Sequence, residues 1–97
     1  MKVIGKDILF RGIRKHADAA GRLRAWLKEA EDSKWRNPQE LKARYKSSSF
    51  LGDDIVIFDI GGNRYRLAIC IDYKLGIVTI QWFGTHAEYS KRNYGGT

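Results

Sequence analysis

Residues 55–72 read IVIFDIGGNRYRLAICID. Two runs dominated by isoleucine, valine, leucine and aromatic residues flank Gly61-Gly62-Asn63-Arg64, a cluster of turn formers, so the segment predicts two strands joined by a tight turn. After a second turn at residues 73–76, YKLG, the run IVTIQWF at 77–83 predicts a third strand and hence an antiparallel meander. A period of two in the middle strand places Tyr65, Leu67, Ile69 and Ile71 on one face, and Arg66, Ala68, Cys70 and Asp72 on the other. In the third strand the same rule groups Val78, Ile80 and Trp82 against Thr79, Gln81 and Phe83. One face of the meander is apolar throughout and needs a cover.

The first half of the chain supplies it. Leu9 and Ile13, with His16 in the same row, give a modest helical signal, and Ala19, Leu23, Trp26, Leu27 and Ala30 form the apolar stripe of an amphipathic helix with Asp18 as its expected cap. Asn37, Pro38 and Glu40 stand as N-cap, N1 and N3 of a short helix, PQELKARY, with Leu41 and Tyr45 inward and Lys42 and Lys46 sharing a face at i, i+4. MKVI at the start reads as an edge strand, SSSFLGDD at 47–54 as a loop, and the tail SKRNYGGT as a frayed end. The expected organisation is a single α+β domain over residues 1–97, with one layer of helices on one face of a small antiparallel sheet.

Composition narrows the function. The chain has 97 residues and a net charge of +7. Residues 1–50 hold 13 Lys or Arg against 6 Asp or Glu, whereas residues 51–97 hold 5 against 5, so all the excess lies in the first half. Clustered cations of this kind attract and hold phosphates or carboxylates, unless they form an ordinary solvated surface. No run approaches the roughly 18 apolar residues of a membrane span and no signal-peptide pattern opens the chain, which gives the expectation of a cytoplasmic protein without a membrane partner. The lone cysteine, Cys70, reads as a small core residue.

Two groups of residues carry chemistry. Arg64 and Arg66, two apart along a strand, would emerge about 7 Å from each other on the uncovered face, a spacing that suits neighbouring phosphate oxygens. The alternative is pairing with Asp53, Asp54 or Asp59 of the adjoining strand. The second group is GTHAEY at 84–89, where Thr85 caps a turn and His86 and Tyr89, three apart, share one side. Histidine exchanges protons near neutrality, and a tyrosine does so only with cationic help; a histidine hydrogen-bonded at a strand end is the plainer reading. His16 reads as packing. No CxxC, HExxH, GxSxG or Walker pattern is present, so no metal or cofactor site is expected and any catalysis would rest on cations, histidine and tyrosine. Such a set suits phosphoryl transfer on RNA, where the 2′-hydroxyl is an internal nucleophile.

The ordered run of WLKEA at 26–30, WRNPQELKARY at 35–45, FDIGGNRYRL at 58–67 and GTHAEY at 84–89 resembles the HigB family of bacterial toxins, relatives of the RelE toxins. The resemblance implies a RelE-like fold and a metal-independent mRNA interferase that cuts messenger RNA, usually on the ribosome. It also implies neutralisation by a HigA-like helix-turn-helix antitoxin, with operator DNA contacted only through that antitoxin. Carried onto this chain, it casts Arg64, Arg66, His86 and Tyr89 as catalytic, and Lys42 and Lys46, which only approximate the family's earlier basic residues, as RNA-binding. A non-catalytic RNA-binding or antitoxin-binding module on the same fold is the alternative.

Overall fold

The computed structural model describes residues 1–52 and 54–92. In chain order the elements are β1 (Lys2–Ile4), α1 (Lys6–Lys15), a 3-10 turn (Ala17–Ala19), α2 (Ala20–Asp32), α3 (Pro38–Arg44), β2 (Ser49–Leu51), β3 (Ile55–Ile60), β4 (Tyr65–Asp72), β5 (Ile77–Thr85) and α4 (His86–Ser90). The hairpin forms as its sequence predicts, β3 and β4 pairing antiparallel from Ile60 opposite Tyr65 to Ile55 opposite Cys70. Gly61 and Gly62 turn the chain at φ 67° and 69°, a left-handed conformation that explains two successive glycines.

The architecture is α+β, with a five-stranded sheet in the order β1-β5-β4-β3-β2. The sheet is mixed rather than purely antiparallel, because the expected edge strand β1 runs parallel to β5, pairing Lys2–Ile4 with Ile77–Thr79. The segment read as a loop at 47–54 contains β2, a three-residue edge strand against β3; so short a run carries no alternation for the sequence to reveal. Asp53 and residues 93–97, the latter most of the tail read as frayed, lie outside the described residues.

Helices and sheet share one core. Leu9, Leu23, Trp26, Ala30 and Leu41 pack on Val56, Phe58, Ile60, Leu67, Ile69, Val78 and Ile80. Full burial of such side chains stabilises the fold by about 1.5–3 kcal/mol each. Phe58 is the hub, with Trp26 and Tyr45 set edge-on at 5.5 and 4.9 Å. Asn37 caps α3 as expected, its Oδ1 accepting from the Glu40 amide at 2.8 Å, with Pro38 in the first turn.

Two local expectations are corrected. Asp18 does not cap α2, which begins without a side-chain cap; its carboxylate accepts instead from the Tyr65 hydroxyl at 2.6 Å and faces Arg64 at 3.1 Å. The alternation of β5 also breaks. Trp82 lies opposite Ala68 and Ile80 opposite Ile69, so Gln81 is an extra residue, a β-bulge. Beyond it every side chain changes face: Phe83 joins the helical side, stacked on Tyr65 at 5.5 Å, and Trp82 moves to the outer face beside Tyr89. Cys70 is likewise on the outer face, half-buried, where its thiol donates to Asp54 at 3.3 Å; burial, then that carboxylate, pushes its pKa up, so it is a poor nucleophile.

Candidate active site

The site is assembled where the hairpin turn meets α4. Thr85 opens α4 with a full capping box: its Oγ1 accepts from the Glu88 amide at 3.1 Å and its own amide donates to Glu88 Oε1 at 2.8 Å. The Thr85 amide is the main reason the Glu88 carboxyl lies below its usual range. The His86 amide donates to the Arg64 carbonyl oxygen at 2.9 Å, tying the start of α4 to the end of the turn. His86 and Tyr89 therefore sit three apart on a short helix whose position the sheet fixes. His86 Nδ1 is shielded from solvent and has no hydrogen-bond partner among the described residues.

Arg66 leaves β4 on the outer face. Its side chain is only 12% exposed; Nη1 lies 3.1 Å from Asp59 Oδ1 and donates to the Tyr65 carbonyl oxygen, and Nη2 donates to Asn63 at 2.8 Å. These contacts use fewer than the five N–H groups of a guanidinium and hold its plane. The Arg66 guanidinium carbon stands 6.0 Å from the centre of the Tyr89 ring, Tyr89 lies 6.1 Å from Trp82, and Arg92 covers Trp82 at 4.9 Å. Cation, aromatic, aromatic and cation thus follow one another across one face, an arrangement suited to phosphates flanked by stacked bases.

Of the residues singled out in the sequence, the structure gathers Arg66, His86 and Tyr89. Arg64 is separated from Arg66. It belongs to the turn rather than to β4, is 71% exposed, and pairs with Asp18 of the helical layer, so the two guanidiniums do not emerge together on the outer face. Asp59, one of the alternative partners, is the residue that Arg66 takes. Lys42 and Lys46 are not on one helix face, because α3 ends at Arg44, but both line a cleft against Ser48 and Ser49, where Lys42 Nζ donates to the Ser48 carbonyl oxygen at 2.5 Å. His16 packs against the stacked rings of Tyr65 and Phe83, as expected. Trp82, Asn63 and Arg92 were invisible as site residues. A one-residue bulge, which no local pattern announces, moved the tryptophan. Among the described residues no three His, Cys, Asp or Glu side chains come together as a metal-ligand set.

A small α+β domain with a mixed five-stranded sheet that offers cations and aromatic rings on its open face is compatible with a RelE-like toxin fold. Residues 19–92 match the family model of the HigB toxins, the RelE-like toxic component of a toxin-antitoxin system, and the chain belongs to that family. Membership implies an antitoxin partner. A comparison with curated proteins finds no match to the chain. Among the described residues no helix is long and apolar enough to cross a membrane.

Proposed function

We propose that this HigB-family toxin is an endoribonuclease that cuts messenger RNA on the ribosome without a metal ion. The observation that carries the reading is Arg66, a guanidinium nearly withdrawn from solvent, aimed by Asp59 and Asn63, and set beside Tyr89 on the turn of helix that also bears His86. In the reaction a base takes the proton of a ribose 2′-hydroxyl, the O2′–P bond forms, the P–O5′ bond breaks, and an acid returns a proton to the departing O5′. The products are a 2′,3′-cyclic phosphate and a 5′-hydroxyl. Arg66 meets the negative charge that grows on the non-bridging oxygens, a contact that strengthens in the transition state and so acts mainly on kcat. His86 and Tyr89 are the proton-transfer pair, with Tyr89 also able to stack on a base.

Arg64, exposed and held by Asp18, serves the RNA backbone at the rim rather than the same phosphate as Arg66. Lys42 and Lys46 extend the basic path along the cleft beside β2. The antitoxin of this reading is a HigA-like helix-turn-helix protein that alone touches operator DNA. Mapping the 5′ ends of a defined message, with and without programmed ribosomes, and of naked RNA with EDTA or magnesium, tests the reading. Arg66→Ala should lower the cutting rate about 100-fold or more. Cuts unaffected by that substitution would remove Arg66 from the site. RNA binding with no new ends in any condition would leave a binding module instead.

A further inference from the structure

The bulge that moves Trp82 also opens a cleft. β1 pairs with β5 only as far as Thr79, so among the described residues the outer edge of β5 beyond it has no strand neighbour. Helix α1 lies along that edge, and Gly12 lets it approach the Phe83 ring. Between them is a cleft of about 360 Å³ lined by Arg11, Lys15, His16, Gln81, Trp82 and Glu88 among others, within the roughly 300–1,000 Å³ of small-ligand sites. Trp82 belongs both to this cleft and, through Tyr89, to the face that carries Arg66.

We propose that this cleft is a nucleotide subsite that seats a base of single-stranded RNA next to the cleaved bond. Trp82 supplies a stacking surface, the Gln81 amide offers both a donor and an acceptor to a base edge, and Arg11 and Lys15 take the phosphate. Both cations have partners, Arg11 with Asp7 at 3.2 Å and Lys15 with Glu88 at 4.0 Å, but these pairs are largely exposed and exchange readily for a phosphate. Glu88 repels an anion, and its Oε1 is occupied by the Thr85 amide, which places the phosphate toward Arg11 and away from α4. Bulges recur beside binding sites because they re-aim side chains, and here the extra residue, Gln81, and the tryptophan it displaces both line the cleft.

The inference rests on the nuclease reading, and the test separates the two. Cleavage of a message pool is followed by 5′-end sequencing for the wild-type chain, Gln81→Ala, Trp82→Ala, Trp82→Phe and the double variant Arg11→Ala/Lys15→Ala, with circular dichroism as the folding control. Affinity for a labelled single-stranded RNA decamer is measured against salt in an Arg66→Ala background. Gln81→Ala should flatten the base preference beside the cut. Trp82→Ala should raise KM about fivefold to 150-fold, the range of one lost stacking contact, and Trp82→Phe should keep most of it. The double variant should lower the log-log salt slope by about 0.7, the value for one phosphate. If the wild type cuts and the variants keep its KM, base preference and slope, the subsite is wrong and the nuclease stands. If the wild type cuts nothing but binds RNA with a slope that the double variant lowers, the nuclease reading alone falls. If it neither cuts nor binds RNA, both fall. Loss of antitoxin binding with unchanged RNA handling assigns the cleft to that partner and overturns the subsite.

Discussion

Substituting alanine for glycine at two helical positions should move stability in opposite directions, and the reason lies in the contact between α1 and β5. In a solvent-facing helix Gly→Ala stabilises by about 0.5–1 kcal/mol, because glycine loses more backbone entropy on folding. Gly21, exposed in the first turn of α2, has nothing within 4 Å of an added Cβ, so Gly21→Ala should realise up to that gain. At Gly12 the added Cβ would lie 2.5 Å from Phe83 Cδ2 and 2.9 Å from Cε2, where carbon atoms prefer about 3.5–4.0 Å. The ring would have to retreat by about 1 Å. It cannot do so freely, because Tyr65 stacks on it at 5.5 Å and His16 lies at 6.1 Å. Overpacking of this kind costs about 1–3 kcal/mol, so after the helical gain Gly12→Ala should destabilise by up to about 2.5 kcal/mol. At about 4–8 °C per kcal/mol for a domain of this size, Tm should fall by up to about 20 °C, while Gly21→Ala raises it by a few degrees. Thermal melts followed by circular dichroism, with urea titrations at 25 °C, measure both. A double-mutant cycle with Phe83→Leu should show a coupling of about 1 kcal/mol or more. If Gly12→Ala raises Tm as Gly21→Ala does, or the cycle shows no coupling, the close approach of α1 to the bulge is wrong, and with it the shape of the cleft.

Three further outcomes are expected. Asn37→Ala removes the acceptor for the Glu40 amide and should lower stability by about 1 kcal/mol in urea denaturation, without altering the β4–β5 face. Asp59→Ala leaves Arg66 mostly buried without its carboxylate, a case between an exposed pair and a buried one, and should cost about 1–3 kcal/mol; Asp59→Asn keeps an acceptor at the same place and should cost less, which paired urea titrations will show. Acid should weaken the link between the hairpin and the helical layer. The Tyr65 hydroxyl is the main reason Asp18 lies below its ordinary 3.8, and the Thr85 amide holds Glu88 below 4.5. A carboxyl depressed in the folded state contributes stability that is present above its ordinary value and lost as pH falls through the native one. Urea stability should therefore decline below about pH 4, and Tyr65→Phe should make that decline shallower; a decline of equal steepness in the variant would remove Asp18 from the account.

Much of the fold was legible because its signals are local. A run of β-branched residues around Gly61-Gly62 announces a hairpin, and an Asn-Pro-x-Glu spacing announces a helix start, each through the backbone geometry those residues alone favour. The inward face of β4 followed from a period of two, and the families of residues on α1 and α2 from a period of 3.6. The candidate site was legible in part: Arg66, His86 and Tyr89 were singled out by type and spacing, and they come together. What only the tertiary structure decided turns on single residues with no local signature. Arg64 ends in the turn rather than the strand, and Asp18, remote in sequence, draws it to the helical layer. Gln81 is one residue too many opposite β4, and because strand faces alternate, that one residue exchanges the roles of Trp82 and Phe83. The parallel pairing of β1 with β5 joins segments some 75 residues apart, from Lys2 to Ile77, and this too is decided by which edge of the finished sheet remains open. Sequence alone determined which residues can form strands, helices and proton-transfer groups, because propensity and periodicity act over a few residues; register and the choice of ion partners were settled only when distant segments competed for the same surface.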